Sequence, residues 1–165
     1  MQRLIVDGNN FLMADLPAAV AGIGEAELCR LLAKSRYAAG FASVVVVVDG
    51  ARTPLRVQGS PVEAVELRFS GHGRPADDEI VELIDAHTAP RRLTVVSTDR
   101  EVRAAARRRR CRSVTSEQFG HELARLVGRL RRGTPTGPPP AAKPAAELSD
   151  EEVQRWLKEF DLDNP

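Results

Sequence analysis

Five aspartates carry the chemistry this sequence can offer. Asp7 follows an apolar run in Leu4-Ile5-Val6-Asp7-Gly8-Asn9-Asn10, Asp49 follows another in Val48-Asp49-Gly50, and Asp99 ends Ser97-Thr98-Asp99. Asp77 and Asp78 stand together in Arg74-Pro75-Ala76-Asp77-Asp78-Glu79-Ile80. Carboxylates that converge on one cleft repel, and the repulsion raises the pKa of some of them unless a cation neutralises the group. No His or Cys is clustered beside them, and an all-oxygen donor set favours Mg²⁺ or Mn²⁺ over zinc. Such an ion, alone or as a pair, lowers the pKa of bound water and steadies charge on a scissile phosphate. The expected chemistry is hydrolysis without a protein nucleophile, with Asp7, Asp49, Asp77, Asp78 and Asp99 as metal candidates. Each acid also has an ordinary structural use. Asp49 can open a turn, Asp77 and Asp78 favour a helix N-terminus electrostatically, and Asp99 can cap the helix that follows it. Asp7, between an apolar strand and a Gly-Asn-Asn turn, has the least structural need of its charge.

The elements that would position these acids alternate between two periods. Leu4–Asp7, Ser43–Asp49, Val65–Phe69, Leu93–Ser97 and Arg112–Thr115 read as five strands, and the unbroken valines 44–48 suit a central strand buried on both faces. Glu25–Ala39, Asp77–His87, Arg100–Arg109 and Gln118–Arg131 read as helices, the last with Phe119, Leu123, Leu126, Val127 and Leu130 on one face. The pattern predicts an α/β fold: a three-layer α/β/α sandwich around a mostly parallel five-stranded sheet. Right-handed crossovers bring all strand C-termini to one edge, where open α/β sheets bind ligands. The acids follow strands, so they gather there.

The chain has 165 residues, enough for one domain with a hydrophobic core and a modest appendage. No run approaches the roughly 18 apolar residues a membrane span needs, and the opening residues lack a secretory signal. Cys29 and Cys111 form no metal or disulfide pattern, so the expectation is a cytoplasmic protein with reduced thiols. A formal charge of +1 conceals three unlike segments. Residues 1–99 hold ten Lys/Arg and thirteen Asp/Glu, residues 100–132 eleven and three, and residues 133–165 three and seven. The middle segment suits a polyanion. Within it Arg103, Arg107, Arg108, Arg109 and Arg110 are the candidate RNA contacts, gripping phosphates rather than reading bases. His72, in Gly71-His72-Gly73, is expected to be a solvated loop residue.

Together the Leu4–Asn10 stretch, the Val44–Gly50 strand, the Ala76-Asp77-Asp78-Glu79-Ile80 helix start and the Val95–Asp99 turn resemble the YacP-like branch of the NYN domain family, within the PIN-like nucleases. The resemblance spans roughly residues 1–130. It implies a metal-dependent ribonuclease, with an endonucleolytic action on ribosome-associated RNA or mRNA, in which Asp7, Asp77 and Asp99 are central and Asp78, Asn10, Asp49 and Ser97 assist. Asn9 stands where many relatives have an aromatic residue. A phosphatase or nucleotide-binding protein would also place acids after strands, but GxGxxG, GxxxxGK[ST] and DxD are missing. A non-catalytic RNA-binding or adaptor module on the same scaffold is the other alternative, and retention of every principal acid argues against it.

From residue 133 to 147 the composition turns to Gly, Pro, Thr, Ala and Lys, the mark of a semi-extended linker that ends the nuclease domain at residue 132. In the remainder, 148–165, Ser149 and Glu152 form a capping box, Leu148 staples to Val153, and Val153, Trp156, Leu157 and Phe160 make one apolar stripe. One helix cannot bury its own stripe, so that face is expected to seat in a groove on a protein partner, with this chain's own nuclease domain, or its 100–132 arginines for the acidic face, as the alternatives and no membrane involved. Deleting residues 134–165 is expected to leave the domain's melting transition intact; a truncated protein that unfolded would put Trp156 and Phe160 in the main core.

Overall fold

The computed structural model describes residues 2–34, 40–59 and 62–133. Its strands are β1 (Arg3–Asp7), β2 (Ser43–Val48), β3 (Leu55–Gly59), β4 (Val62–Phe69), β5 (Leu93–Val96) and β6 (Arg112–Val114). Its α-helices are α1 (Gly8–Met13), α2 (Glu25–Lys34), α3 (Ala76–Asp85), α4 (Arg100–Arg108) and α5 (Ser116–Gly133). The sheet runs β3-β4-β2-β1-β5-β6, with every neighbouring pair parallel except β3 against β4. The five expected strands are therefore present and parallel. The sixth, β3, was not expected, and it lies antiparallel on the edge, where an added strand is most readily accommodated.

Strand alternation builds two cores. Leu4, Val6, Val44, Val46, Val48 and Val96 face Leu28, Leu32, Phe119 and Leu123 of α2 and α5. Ile5, Val47, Leu93 and Val95 face Ile80, Ile84, Val102 and Ala105 of α3 and α4. The valine strand is covered on both faces, as an unbroken apolar run requires. β1 lies between β2 and β5, and strand order reverses around it: the chain moves outward through β2 and β4, then returns to β5 on the other side. The crevice where that reversal opens lies at the C-terminal ends of β1, β2 and β5.

Two local features depart from the sequence reading. The Gly8-Asn9-Asn10 segment is not a turn but the start of α1, because Asp7 serves as its N-cap and accepts the Asn10 N–H at 3.0 Å. Gly8 is required by close approach, not by conformational freedom: a Cβ there would overlap Val48 Cγ1 and lie 2.9 Å from the Val47 carbonyl oxygen. Gly50, with φ at +119°, does make the sharp turn expected of it. The described residues fall in one compact unit that ends at Gly133. Residues 35–39 of the expected helix Glu25–Ala39, and the linker and C-terminal helix from residue 134 on, lie outside the described residues.

Gly8→Ala should overpack this junction and cost about 1–3 kcal/mol. Urea unfolding checks this; an unchanged midpoint would mean that α1 can shift away from β2 freely.

Candidate active site

The crevice is a cleft of about 280 Å³ lined by Asp7, Asn9, Asn10, Met13, Asp49, Pro75, Ala76, Asp77 and Asp99. Four of the five expected acids meet there. Asp78, next along α3, instead lines a neighbouring groove with Arg74, Glu82, Glu101 and Arg108.

Asp7 is the buried centre, with 1 % of its surface exposed. One carboxylate oxygen accepts the Asn10 N–H, and the other accepts the Ser97 hydroxyl at 2.7 Å. Burial pushes its pKa up against the pull of those two donors, and the charges of Asp99 and Asp49 add to the rise. Ser97, fully buried, also accepts the Asp99 N–H at 3.0 Å, so one hydroxyl ties the end of β1 to the turn after β5.

Asp99 has both of the uses its position suggests. Its Oδ1 caps α4 by accepting the N–H groups of Glu101 at 2.7 Å and Val102 at 3.1 Å. Its Oδ2 has no hydrogen-bond partner among the described residues and remains for the cleft. Asp49 is held at the rim: Oδ1 accepts the first N–H of α3, from Ala76, at 2.7 Å, and Oδ2 accepts from the Asn9 side chain. The Asp49 carboxylate thereby fixes the helix start that presents Asp77. Asp77 feels burial first and then the charges of Asp7, Asp99, Asp49 and Glu101, and its pKa is pushed up to about 6.

Asn10 is a hub. Its Oδ1 accepts the Thr98 N–H at 2.8 Å and the Ser116 hydroxyl at 2.6 Å. A backbone N–H can only donate, so the oxygen must face Thr98, and the amide Nδ2, without a partner among the described residues, is the prong left for a ligand. Thr98 in turn donates its hydroxyl to Glu117 at 2.9 Å and accepts the Ser116 N–H at 3.1 Å. This network joins α1, the β5–α4 turn and the start of α5. Thr98, Ser116 and Glu117 escape sequence reading, because nothing local marks residues that meet from 18 and 106 positions away.

Among the described residues, no three His, Cys, Asp or Glu side chains already form a metal cage. Mg²⁺ does not need one: it keeps several waters and takes one or two protein carboxylates. The donor set fits such an ion in kind, being all oxygen and strained by its own repulsion.

The candidate RNA arginines lie elsewhere. Helix α4 starts at the cleft edge and runs back along the sheet, so Arg107–Arg110 fall at the opposite edge, roughly 13 Å away at 1.5 Å per residue. Arg108 pairs with Asp85 at 3.3 Å, and Arg109 donates to the His87 carbonyl at 2.9 Å. Arg103, nearer the cleft, is half-buried and feels Glu117. His72 is exposed in a shallow groove that shares Asp49 and Pro75 with the cleft.

The YacP-like NYN domain model matches residues 4–161. The chain belongs to that family. The match runs past the limit near residue 130 read from the motifs, and includes the proline-rich segment. Among solved structures, the chain resembles a single-residue mutant of Rae1 (YacP) from Bacillus subtilis, with 24 % identity over 80 % of each chain and a TM-score of 0.57. It also resembles Rae1 (YacP) itself, with 19 % identity over 98 % of this chain and 85 % of that one, again at a TM-score of 0.57. At these identities the likeness is one of fold. No match was found among curated proteins.

The raised Asp77 pKa has a sign that can be measured. A carboxyl whose folded value lies above 3.8 favours the fold when protonated; that stability is full below 3.8 and is lost as pH rises through about 6. In EDTA, melting temperature should fall across that window. Asp77→Asn should shrink the fall, leaving the part due to Asp7, and raise the melting temperature at pH 7.5 by about 2–4 °C, the effect of about 1 kcal/mol once screening by the water that still reaches this side chain is discounted. Calorimetry showing a variant that melts lower than the parent would contradict the repulsion.

Proposed function

We propose that this protein is a cytoplasmic, Mg²⁺- or Mn²⁺-dependent endoribonuclease. The observation that carries the reading is the convergence of Asp7, Asp77 and Asp99 in one cleft at the reversal of strand order, with Asp77 pushed up to about 6 by burial and its acidic neighbours. One or two of these carboxylates would hold the cation directly and the others through its water shell. Bound there, it supplies charge neutralisation for the phosphate and a water of lowered pKa.

The remaining residues position and bind. Ser97 and the Asn10 N–H hold the Asp7 carboxylate in one orientation, and Asp49 anchors the start of α3 so that Asp77 faces Asp7 and Asp99. Asn10 Nδ2 donates to a non-bridging phosphate oxygen, a role for which the cleft has few candidates, since its other polar side chains are four aspartates and an Asn9 already bonded to Asp49. Membership of the NYN family supports RNA as substrate. Ribosome-associated RNA or mRNA is the substrate class the family resemblance suggests.

The test is Mn²⁺-dependent cleavage of a labelled RNA. Asp7→Asn and Asp77→Asn should each abolish it. Asn at position 7 keeps an acceptor for the Asn10 N–H and a donor for Ser97 Oγ, so the fold survives. Asn10→Asp keeps the contacts to Thr98 and Ser116 but exchanges a donor for an acceptor, and should slow cleavage about 10²-fold, as loss of one aimed donor does elsewhere. Full activity in a folded Asp7→Asn or Asp77→Asn protein would overturn the site.

A further inference from the structure

The arginines that the fold carries away from the cleft form a surface of their own. Register sets Arg3 beside Leu93, and Thr94 beside Arg112, so Arg3, Arg92 and Arg112 stand at the N-terminal ends of three adjacent strands. Arg107, in the last turn of α4, and Arg110, just past its C-cap, come immediately before β6, at the same edge. All five are exposed, and none has an ion pair or side-chain hydrogen bond among the described residues. Arg108 and Arg109 complete the edge, and Asp85 is the carboxylate paired with them. His87 reports the same field: burial lowers its pKa first, and the charges of Arg3 and Arg109 lower it further.

We infer that this edge is a second RNA-binding surface, distinct from the cleft, that grips the phosphate backbone of a segment other than the one being cut. The inference rests on the proposed ribonuclease activity for the identity of the polyanion. Three observations favour RNA over a protein partner and a separate segment over a single track. The edge has no apolar anchor: among the described residues Met13, at the cleft, is the one large hydrophobic side chain left exposed, whereas the centre of a protein interface is apolar. The groove between α3 and α4, which would lead from cleft to edge, is lined by Asp78, Glu82 and Glu101 against Arg74 and Arg108, both of which are already paired with carboxylates, so its lining gives phosphate no net attraction. Finally, the described aromatic residue at this end of the sheet, Phe41, packs against the hydrophobic core, so the grip is electrostatic and independent of sequence.

The experiment uses the full chain, an RNA hairpin of about 30 nucleotides and an RNA trinucleotide too short to reach from cleft to edge. In EDTA, where no cleavage occurs, Arg3→Ala/Arg92→Ala/Arg112→Ala should bind the hairpin at least tenfold more weakly at 100 mM salt. The slope of log affinity against log salt should flatten by about 2–3, the loss of three phosphate contacts. With Mn²⁺, kcat/KM for the trinucleotide should stay within twofold of the parent. Arg107→Glu, a single exposed change, should weaken hairpin binding in the same direction and serves if the triple variant melts early. Unchanged hairpin binding would overturn the proposal, as would an equal loss on the trinucleotide, which would make the edge part of the catalytic groove. Competition by polyglutamate as effective as that by RNA would assign the edge to an acidic protein instead. If the parent cleaves neither RNA, the nuclease reading fails by itself, while the binding comparison still decides the edge.

Discussion

A carboxylate taken almost wholly out of water at the end of the central strand is the constraint around which this domain is arranged. Burying Asp7 is unfavourable unless its charge is met by donors. The structure meets it with a serine hydroxyl from the turn after β5 and a backbone N–H from the first turn of α1. Those donors fix neighbouring geometry in turn. Ser97 holds the Asp99 backbone, and Asp99 caps α4; α1 brings Asn10 to Thr98 and Ser116, which sets where α5 begins. A polar chain of this sort is worth most when every member is satisfied, and here it runs through the strand ends that shape the cleft.

The same arrangement explains which parts were legible in the sequence. Long apolar runs and helical spacing gave away β1, β2, β5, α3, α4 and α5, because burial on two faces or one stripe leaves a periodic mark. The acids were legible because each stands beside a glycine, a helix start or a strand end. Helix α1 left no such mark: six residues show too little period, and Asp7 caps it through a side chain that also belongs to the cleft. Strand β3, Leu-Arg-Val-Gln-Gly, carries little apolar content and depends on pairing with β4. Asp99 illustrates a case in which two readings of one residue both hold, since its two oxygens do different things.

The arginine run was legible as charge and illegible as place. Its density identified a polyanion surface, but only the path of α4 reveals that it ends at the far edge. Helix geometry itself favours this polarity. Asp99 and Glu101 meet the positive end of the α4 dipole, and Arg107 and Arg108 the negative end. Arg110 accepts a left-handed backbone, φ +60°, so that the chain can turn at once into β6. Glycine is the usual choice for such a position, and arginine there adds charge to the edge at some conformational cost.

Separation of the two charges has a physical advantage. A cleft that must hold a divalent cation has to be strongly negative, and that field repels the very polymer to be cut. Interleaving arginines among the aspartates would cancel both fields. At physiological ionic strength, exposed charges are screened beyond about 8 Å, and the length of α4, roughly 13 Å, exceeds that distance. In the proposed function, the acidic end can therefore keep its affinity for a cation while the basic edge draws in RNA. Once a cation occupies the cleft, its charge offsets the carboxylates, and the barrier to a phosphate entering there falls. On this view the protein gains substrate affinity from one end of its sheet and chemistry from the other. The parallel topology, which sends every strand out toward the cleft and every helix back from it, is what keeps them apart.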